Sequence, residues 1–173
     1  ERIGHHIYGE MWANNIKKTL SEYNLLHRPI HIISANMHSV MNSIYAPIVL
    51  PKQIVNNDAI SLFELLSKDD NEDLRKQVKE YASKNGLVYL KDHSGTNINV
   101  QIIDTSKIDL SKTNYTVENS NKSDEMPVII VMDYAFGEQA YETMDELLKP
   151  YICENDKNYH LNVESVSVMG KAG

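Results

Sequence analysis

Asp133 follows an apolar run of strand length, Met126 to Met132, and opens a loop that continues through Tyr134, Phe136 and Gly137. In parallel sheets ligands bind beyond the carboxyl ends of the strands, so this loop is a candidate site. Asp133 could accept a hydrogen bond from a sugar hydroxyl, and the two rings could stack on a base. The alternative is that Asp133 accepts from loop amides and that the rings belong to the core.

A second glycine loop, Gly170-Lys171-Ala172-Gly173, follows a strand predicted at Val163 to Met169. Glycine lets the backbone approach a ligand closely, and Lys171 adds a cation. The loop is therefore a candidate to hold an anion or a sugar. The alternative is that Lys171 is simply exposed.

A third group of candidates lies early in the chain, where a short strand, Ile30 to Ile33, leads into a helix that starts at Met37. Ser34 and Asn36 could hydrogen-bond a ligand, and His38 could transfer a proton near neutral pH. The alternative is that Asn36 caps the helix, as asparagine does well, and that His38 faces a neighbouring loop.

The strand at Met126 to Met132, a helix from Gly137 to Pro150 and the strand at Val163 to Met169 predict a βαβ unit. An apolar run of this kind is typical of a parallel strand covered on both faces. We therefore predict an α/β fold with three layers, in which helices flank a mainly parallel sheet.

Two further patterns refine this fold. Leu87 to Leu90 and Ile98 to Ile103 are joined too closely for a crossover helix, which predicts one antiparallel β-hairpin. The two helices between Asp58 and Lys84 are interpreted as cover for the sheet. The first helix, Glu1 to Tyr23, is predicted to be amphipathic. Its stripe comprises Ile3, Ile7, Met11, Asn15, Ile16, Leu20 and Tyr23, with Tyr8 and Trp12 beside it.

The sequence VIIVMDYAFGEQAYETMDELL, followed by SVSVMGKAG, resembles the nucleoside phosphorylase and AMP nucleosidase superfamily. The resemblance implies cleavage of the N-glycosidic bond of a purine nucleoside or nucleotide. It also implies that Asp133 to Gly137 and Gly170 to Gly173 line the sugar and phosphate region. Glu138, in the first helical turn, occupies the positive end of the helix dipole and repels a phosphate placed there.

The catalytic residues stay unknown, because the family's remaining ones would lie beyond Gly173. We therefore expect a single α/β domain over residues 1–173 that is a fragment of a longer chain, with residues 104–125 as a flexible polar insertion or boundary. A noncatalytic nucleotide- or ligand-binding module and an oligomerisation domain, which would form a homo-oligomer, are the open alternatives.

The formal net charge of -7 argues against affinity for nucleic acid or an anionic membrane, since both require a basic face. With one cysteine and no apolar run of spanning length, the sequence predicts a cytoplasmic protein. No cofactor and no metal are expected, since His6 and Glu10 have the spacing of a metal pair but no third ligand follows at a recognisable distance. The expected partner is a small purine nucleoside or nucleotide.

Overall fold

The computed structural model describes residues 2–53, 60–113, 126–135, 137–152 and 158–169, with the backbone alone for residues 2–6. Within these ranges the helices are α1 Arg2–Glu22, α2 Met37–Val49, α3 Ile60–Ser67, α4 Glu72–Lys84 and α5 Glu138–Leu148. The strands are β1 Pro29–Ser34, β2 Leu87–Leu90, β3 Val100–Asp104, β4 Val128–Met132, β5 Tyr151–Ile152, β6 Asn158–Tyr159 and β7 Asn162–Val168.

Five of these strands form one sheet in the order β2-β3-β4-β1-β7. β1 runs parallel to its neighbours β4 and β7, whereas β3 is antiparallel to both β4 and β2. The predicted α/β class and the predicted antiparallel hairpin are confirmed. The hairpin is part of the main sheet, so the sheet is parallel on one side of β4 and antiparallel on the other.

Helices cover both faces of the sheet, which confirms the three layers. On one face α1 and α5 bury Trp12, Ile16 and Leu147 against β1, β3 and β4. On the other face α2, α3 and α4 form a second cluster with the opposite side chains of the same strands. The central strands are therefore apolar on both sides, as the continuous run in β4 predicts.

β4, α5 and β7 form the predicted βαβ unit, but β1 lies between its two strands. The side chains of Ile30 and Ile32 are fully buried, and a strand this deep needs backbone partners along both of its edges. β4 and β7 supply them. A short antiparallel hairpin of β5 and β6 lies in the connection between α5 and β7.

Only the first part of the predicted polar insertion at 104–125 is described. Asp104 is the last residue of β3, and the chain continues through two short 3₁₀ turns, Thr105–Lys107 and Leu110–Lys112. Buried Ile108 anchors these turns to the cluster under α2 and α4. Residues 114–125 lie outside the described residues.

The buried face of α1 differs from the predicted stripe. Ile16 and Leu20 are buried as expected, but Ile7, Met11 and Tyr23 are about half exposed. Trp12, predicted beside the stripe, is buried, and so is Lys17, which the pattern did not indicate. Lys17 Nζ donates to the carbonyl oxygens of residues 146 and 149, both at 2.7 Å, and so caps the end of α5. This contact between helices sets the rotation of α1 and cannot be read from its own periodicity.

A buried ion pair links three strands at the end of the sheet where β1 and β4 begin and β3 finishes. Arg28, just before β1, places a guanidinium nitrogen 3.2 Å from Asp104 Oδ1, at the end of β3. The Nε of Arg28 also donates to the carbonyl of Met126, which precedes β4. Both side chains are more than nine-tenths buried. Asp104 Oδ2 also lies 3.7 Å from Lys107 Nζ. The buried guanidinium of Arg28 depends on Asp104 for its counter-charge, because water cannot solvate it.

We expect Asp104→Ala to lower the free energy of unfolding by about 3–5 kcal/mol, because it leaves a buried guanidinium without its counter-charge. Urea unfolding followed by circular dichroism measures the change. Lys18→Ala is the control, since it removes an exposed pair with Glu22 at 3.9 Å and should alter stability by less than about 0.5 kcal/mol. Equal effects from the two variants would contradict the structural role given to the buried pair.

Candidate functional site

A cavity of about 320 Å³ opens where β1 and β4 end, between the first turn of α2 and the side of α4. We call it the strand-end cavity. Its lining residues are Asn36, Met37, His38, Met41, Lys79, Ser83, Leu87, Tyr89, Asn99, Gln101 and Asp133. Its volume lies at the lower end of the range for small-molecule sites, roughly 300–1,000 Å³.

The strand-end cavity brings together candidates from two loops that are far apart in the sequence. Asn36 and His38 follow β1, and Asp133 follows β4. They meet because β1 and β4 are adjacent and parallel, with Ser34 opposite Met132 at their carboxyl ends. Ala35 N also donates to Met132 O at 3.1 Å, which keeps the two loops together beyond the last strand pair.

Asn36 has the capping role that the sequence offers as an alternative to ligand binding. Its backbone is extended, and its Oδ1 accepts a hydrogen bond from Ser39 N at 3.0 Å. His38, in the first turn of α2, has an exposed side chain on the rim of the cavity. The first turn of α2 contains no acidic residue. The positive end of its helix dipole therefore has no counter-charge in that turn.

Asp133 is partly buried, and its loop is held to the rest of the site. Its backbone N donates to Asn99 O at 3.0 Å, and its Oδ1 accepts from Tyr134 N at 2.9 Å. One carboxylate oxygen thus serves the loop, as the alternative interpretation has it. Oδ2 has no hydrogen-bond partner among the described residues and can accept from a ligand hydroxyl.

Gln101 is the most informative residue that sequence reasoning missed. It lies on β3 and lines the strand-end cavity, with only 4% of its surface exposed. Its Oε1 is buried and has no hydrogen-bond partner among the described residues. Buried polar atoms are nearly always paired, so an unpaired amide oxygen in a cavity wall marks a place for a donor supplied by water or by a ligand. The available signal was one polar residue inside the otherwise apolar run Val100 to Ile103.

α4, which the sequence analysis interprets as cover for the sheet, and the hairpin of β2 and β3 also contribute to the cavity. α4 supplies Lys79 and Ser83, and the hairpin supplies Tyr89 and Asn99. Lys79 is the one cation lining the cavity among the described residues. The sequence alone could not predict this, because exposed lysines are common on surface helices and only the packing of α4 beside α2 brings this one to the site.

The other sequence candidates lie elsewhere. Ser34 is buried in β1, where its carbonyl accepts a bond from Met169 N at 2.9 Å. Tyr134 is exposed, and Gly137 precedes α5 with a φ of 58°, a conformation that favours glycine. None of the three lines the strand-end cavity. The remaining candidates, Phe136, Gly170, Lys171 and Gly173, lie outside the described residues.

A larger cavity of about 740 Å³ lies between α1, the turn at residues 92–94 and the start of β5. Volume alone favours it. However, the carboxylate of Asp92 in its wall is already used by the turn, accepting from the backbone N of Ser94, Gly95 and Asn97. The strand-end cavity is the better candidate, because it joins two strand ends to a buried and unpaired amide.

The turn at Asp92 also fixes the hairpin end that reaches the strand-end cavity. Burial alone would raise the pKa of Asp92, but the hydrogen bonds from Ser94, Asn97 and Gly95 outweigh that effect and hold its pKa below the usual value. Asn99 then accepts from Asp92 N through its Oδ1 at 3.0 Å. The carboxylate therefore acts in its charged form to position Asn99 beside Asp133.

Two kinds of site find no support in the described part of the chain. No group of three histidine, cysteine, aspartate or glutamate side chains there is arranged to hold a metal ion. Among the helices described, none combines the length and the apolar character that crossing a bilayer requires.

The fold is of the α/β class, and the cavity at the carboxyl ends of its parallel strands is the candidate small-molecule site. Residues 59–173 match the model of a family of unknown function, DUF6909, and since this is more than half of the chain, the protein belongs to that family. The match includes Lys79, Gln101 and Asp133 but starts after β1 and α2. A search of curated proteins and a search of solved structures each found no match.

We expect Gln101→Met to raise the free energy of unfolding by about 1 kcal/mol, because it replaces a buried, unpaired amide by apolar atoms of similar length. Chemical unfolding without added ligand measures this. Gln77→Met on the exposed side of α4 is the matched control and should give no such gain. If Gln101→Met lost stability instead, the amide would have a structural partner and would not be a ligand-binding group.

We expect Asp92→Asn to lower the free energy of unfolding at pH 7 by about 1 kcal/mol, allowing for the partial exposure of the turn. Since the pKa of Asp92 is lowered in the folded state, the stabilisation is present above the unfolded pKa of about 3.9 and is lost as the pH falls through the folded pKa. The two proteins should therefore begin to converge below about pH 4 in urea titrations and continue to do so as the pH falls through the lowered folded pKa.

Asp70→Asn is the control for this titration, because Asp70 is exposed and belongs to a different turn. It should match the wild-type protein at every pH. A difference between wild type and Asp92→Asn that persisted undiminished at pH 3 would show that the charge of Asp92 is not what stabilises the turn.

Proposed function

We propose that the strand-end cavity binds a purine nucleoside or nucleotide and that this chain takes part in cleaving its N-glycosidic bond. The observation that carries the proposal is the convergence of Asp133 and His38 from two strand ends on a cavity that also contains the unpaired amide of Gln101. Carboxylate, imidazole and amide are suited to a ribose, a leaving base and a base edge respectively.

The cavity groups support a particular placement of the ligand. Asp133 Oδ2 accepts from a ribose hydroxyl, as acidic residues do at other α/β strand ends. The side chain of Gln101 meets a donor on the base, and the soft terminal torsion of glutamine lets its oxygen turn toward that donor. The half-exposed ring of Tyr89 at the cavity wall offers a face on which the base stacks.

In the proposed reaction the bond between the anomeric carbon and the purine nitrogen breaks, and water or phosphate forms a new bond to that carbon. The departing purine takes up a proton from His38, which lines the cavity, and the attacking water or hydrogen phosphate releases the proton that restores His38. The protein otherwise acts by positioning the two reactants and by stabilising charge on an oxocarbenium-like ribose. We propose a cytoplasmic location, which the single cysteine supports.

A second candidate is a noncatalytic module that binds a nucleotide and forms oligomers. The observation that favours it is β7, an edge strand whose Val166, Val168 and Met169 are 47–74% exposed. Unprotected apolar edge strands pair readily with another chain. This candidate uses the same cavity without the chemical step.

The test is calorimetric titration of the purified chain with adenosine, AMP, ribose 5-phosphate and inorganic phosphate, together with thermal unfolding. A ligand that binds only the folded state stabilises it by roughly 2.7 kcal/mol at a hundredfold excess over its Kd. We expect adenosine or AMP to bind, and Asp133→Asn and Gln101→Met each to weaken that binding by about tenfold or more. Asp70→Asn and Gln77→Met are the matched controls.

Chromatographic assay of free purine then separates the two candidates. Release by the wild-type chain that Asp133→Asn reduces supports cleavage. Binding without release, with dimers in analytical ultracentrifugation, supports the noncatalytic module. Failure of every ligand to bind, or equal binding by the cavity variants and their controls, would overturn the assignment of the site.

A further inference from the structure

α2 and α5 both begin where the parallel strands end, but their first turns differ in how well they could bind an anion. α5 carries Glu138 in its first turn, whereas α2 has no acidic residue there. The first N–H groups of α2, those of Met37 and His38, have no acceptor within the helix. An anion is therefore favoured at the start of α2 and disfavoured at the start of α5.

The start of α2 shares the cavity with a cation. Lys79, on α4, lines the same cavity as Asn36, Met37 and His38. α2 and α4 pack against each other, so the fold holds the backbone of Lys79 near this turn. A lysine ammonium and a helix start that line one cavity are well suited to a group with several anionic oxygens, since each can serve different oxygens.

An independent observation indicates that this cavity holds a ligand. Gln101, which is buried to more than nine-tenths, forms part of the wall below α2 and α4, and its Oε1 has no partner among the described residues. A helix start and an exposed lysine would occur on many surfaces. A buried acceptor that lacks a donor in the same cavity requires one from outside the chain.

We propose that the strand-end cavity recognises the phosphate of a ribose phosphate monoester, bound between the first turn of α2 and Lys79. This inference rests on the proposed function and specifies how the bound ligand is oriented in the cavity. Asp133 is the carboxylate that lines the cavity, and its loop adjoins the loop that starts α2, so the proposal places the phosphate on the Lys79 side of that turn. The ribose hydroxyls face Asp133, and a donor on the base faces Gln101.

This placement differs from the one that the resemblance to nucleoside phosphorylases implies. There, the loops at Asp133 to Gly137 and Gly170 to Gly173 line the phosphate region. Here the anion is received by the loop after β1 and by α4, because Glu138 makes the start of α5 unfavourable for it.

The test compares charged and neutral ligands on the whole chain by calorimetry. AMP and ribose 5-phosphate carry the monoester, adenosine lacks it, and inorganic phosphate has neither base nor ribose. We expect AMP to bind at least about tenfold more tightly than adenosine, the effect of one good charge-assisted contact. Lys79→Met should remove most of that difference and leave adenosine unchanged. Raising the salt concentration should weaken AMP binding and spare adenosine.

Lys84→Met is the matched control, because Lys84 lies on the same helix but does not line the strand-end cavity. It should leave both affinities unchanged. Ribose 5-phosphate binding that depends on Lys79 in the same way would show that the monoester is recognised without the base. Inorganic phosphate should bind much more weakly than either ester.

Three outcomes would overturn the inference. If adenosine binds as tightly as AMP and Lys79→Met changes neither, the anion site is wrong while the proposed nucleoside site stands. If Lys79→Met weakens adenosine and AMP equally, Lys79 shapes the cavity and does not read the phosphate. If none of the ligands binds, the proposed function fails and the phosphate site fails with it.

Discussion

The parallel pairing of β1 with β4 is the constraint on which the rest of this structure depends. Ile30, Ile32, Val128 and Ile130 are fully buried, so both strands need cover on each face and a hydrogen-bonded neighbour along each edge. The helices satisfy the first need, and β3 and β7 satisfy the second. Because the pair is parallel, the chain leaves both strands at the same edge. The two loops that follow must therefore share one space.

The two ends of the central strands are stabilised by different interactions. Where β1 and β4 begin, the buried pair of Arg28 and Asp104 fixes three strands with matched charges. Where they end, the ladder continues for one bond from Ala35 N and one from Asp133 N. Beyond these bonds, polar groups line the strand-end cavity and do not pair with one another. The unpaired Gln101 belongs to this second edge, where a polar atom without a partner is a cost to stability that a ligand can offset.

Much of the fold could be predicted from the sequence, because the elements have strong local patterns. The continuous apolar run of β4, the helical repeat of α5 and the short connection between β2 and β3 each indicate one structure. The order of the strands could not be predicted, since β1 enters between β4 and β7 from far away in the chain. The prediction of which face of α1 is buried was also wrong in part, because the contact of Lys17 with the end of α5 determines the rotation of this helix.

For the site, the sequence was enough to predict which residues follow strand ends. Asn36, His38 and Asp133 were all identified in that way, since a strand end is a local feature of the chain. Only the tertiary structure decided that these residues meet, and that Lys79 and Gln101 join them. The physical reason is that sequence patterns report which side of an element is buried. Which elements become neighbours depends on burying all the apolar faces and pairing all the strand edges at once.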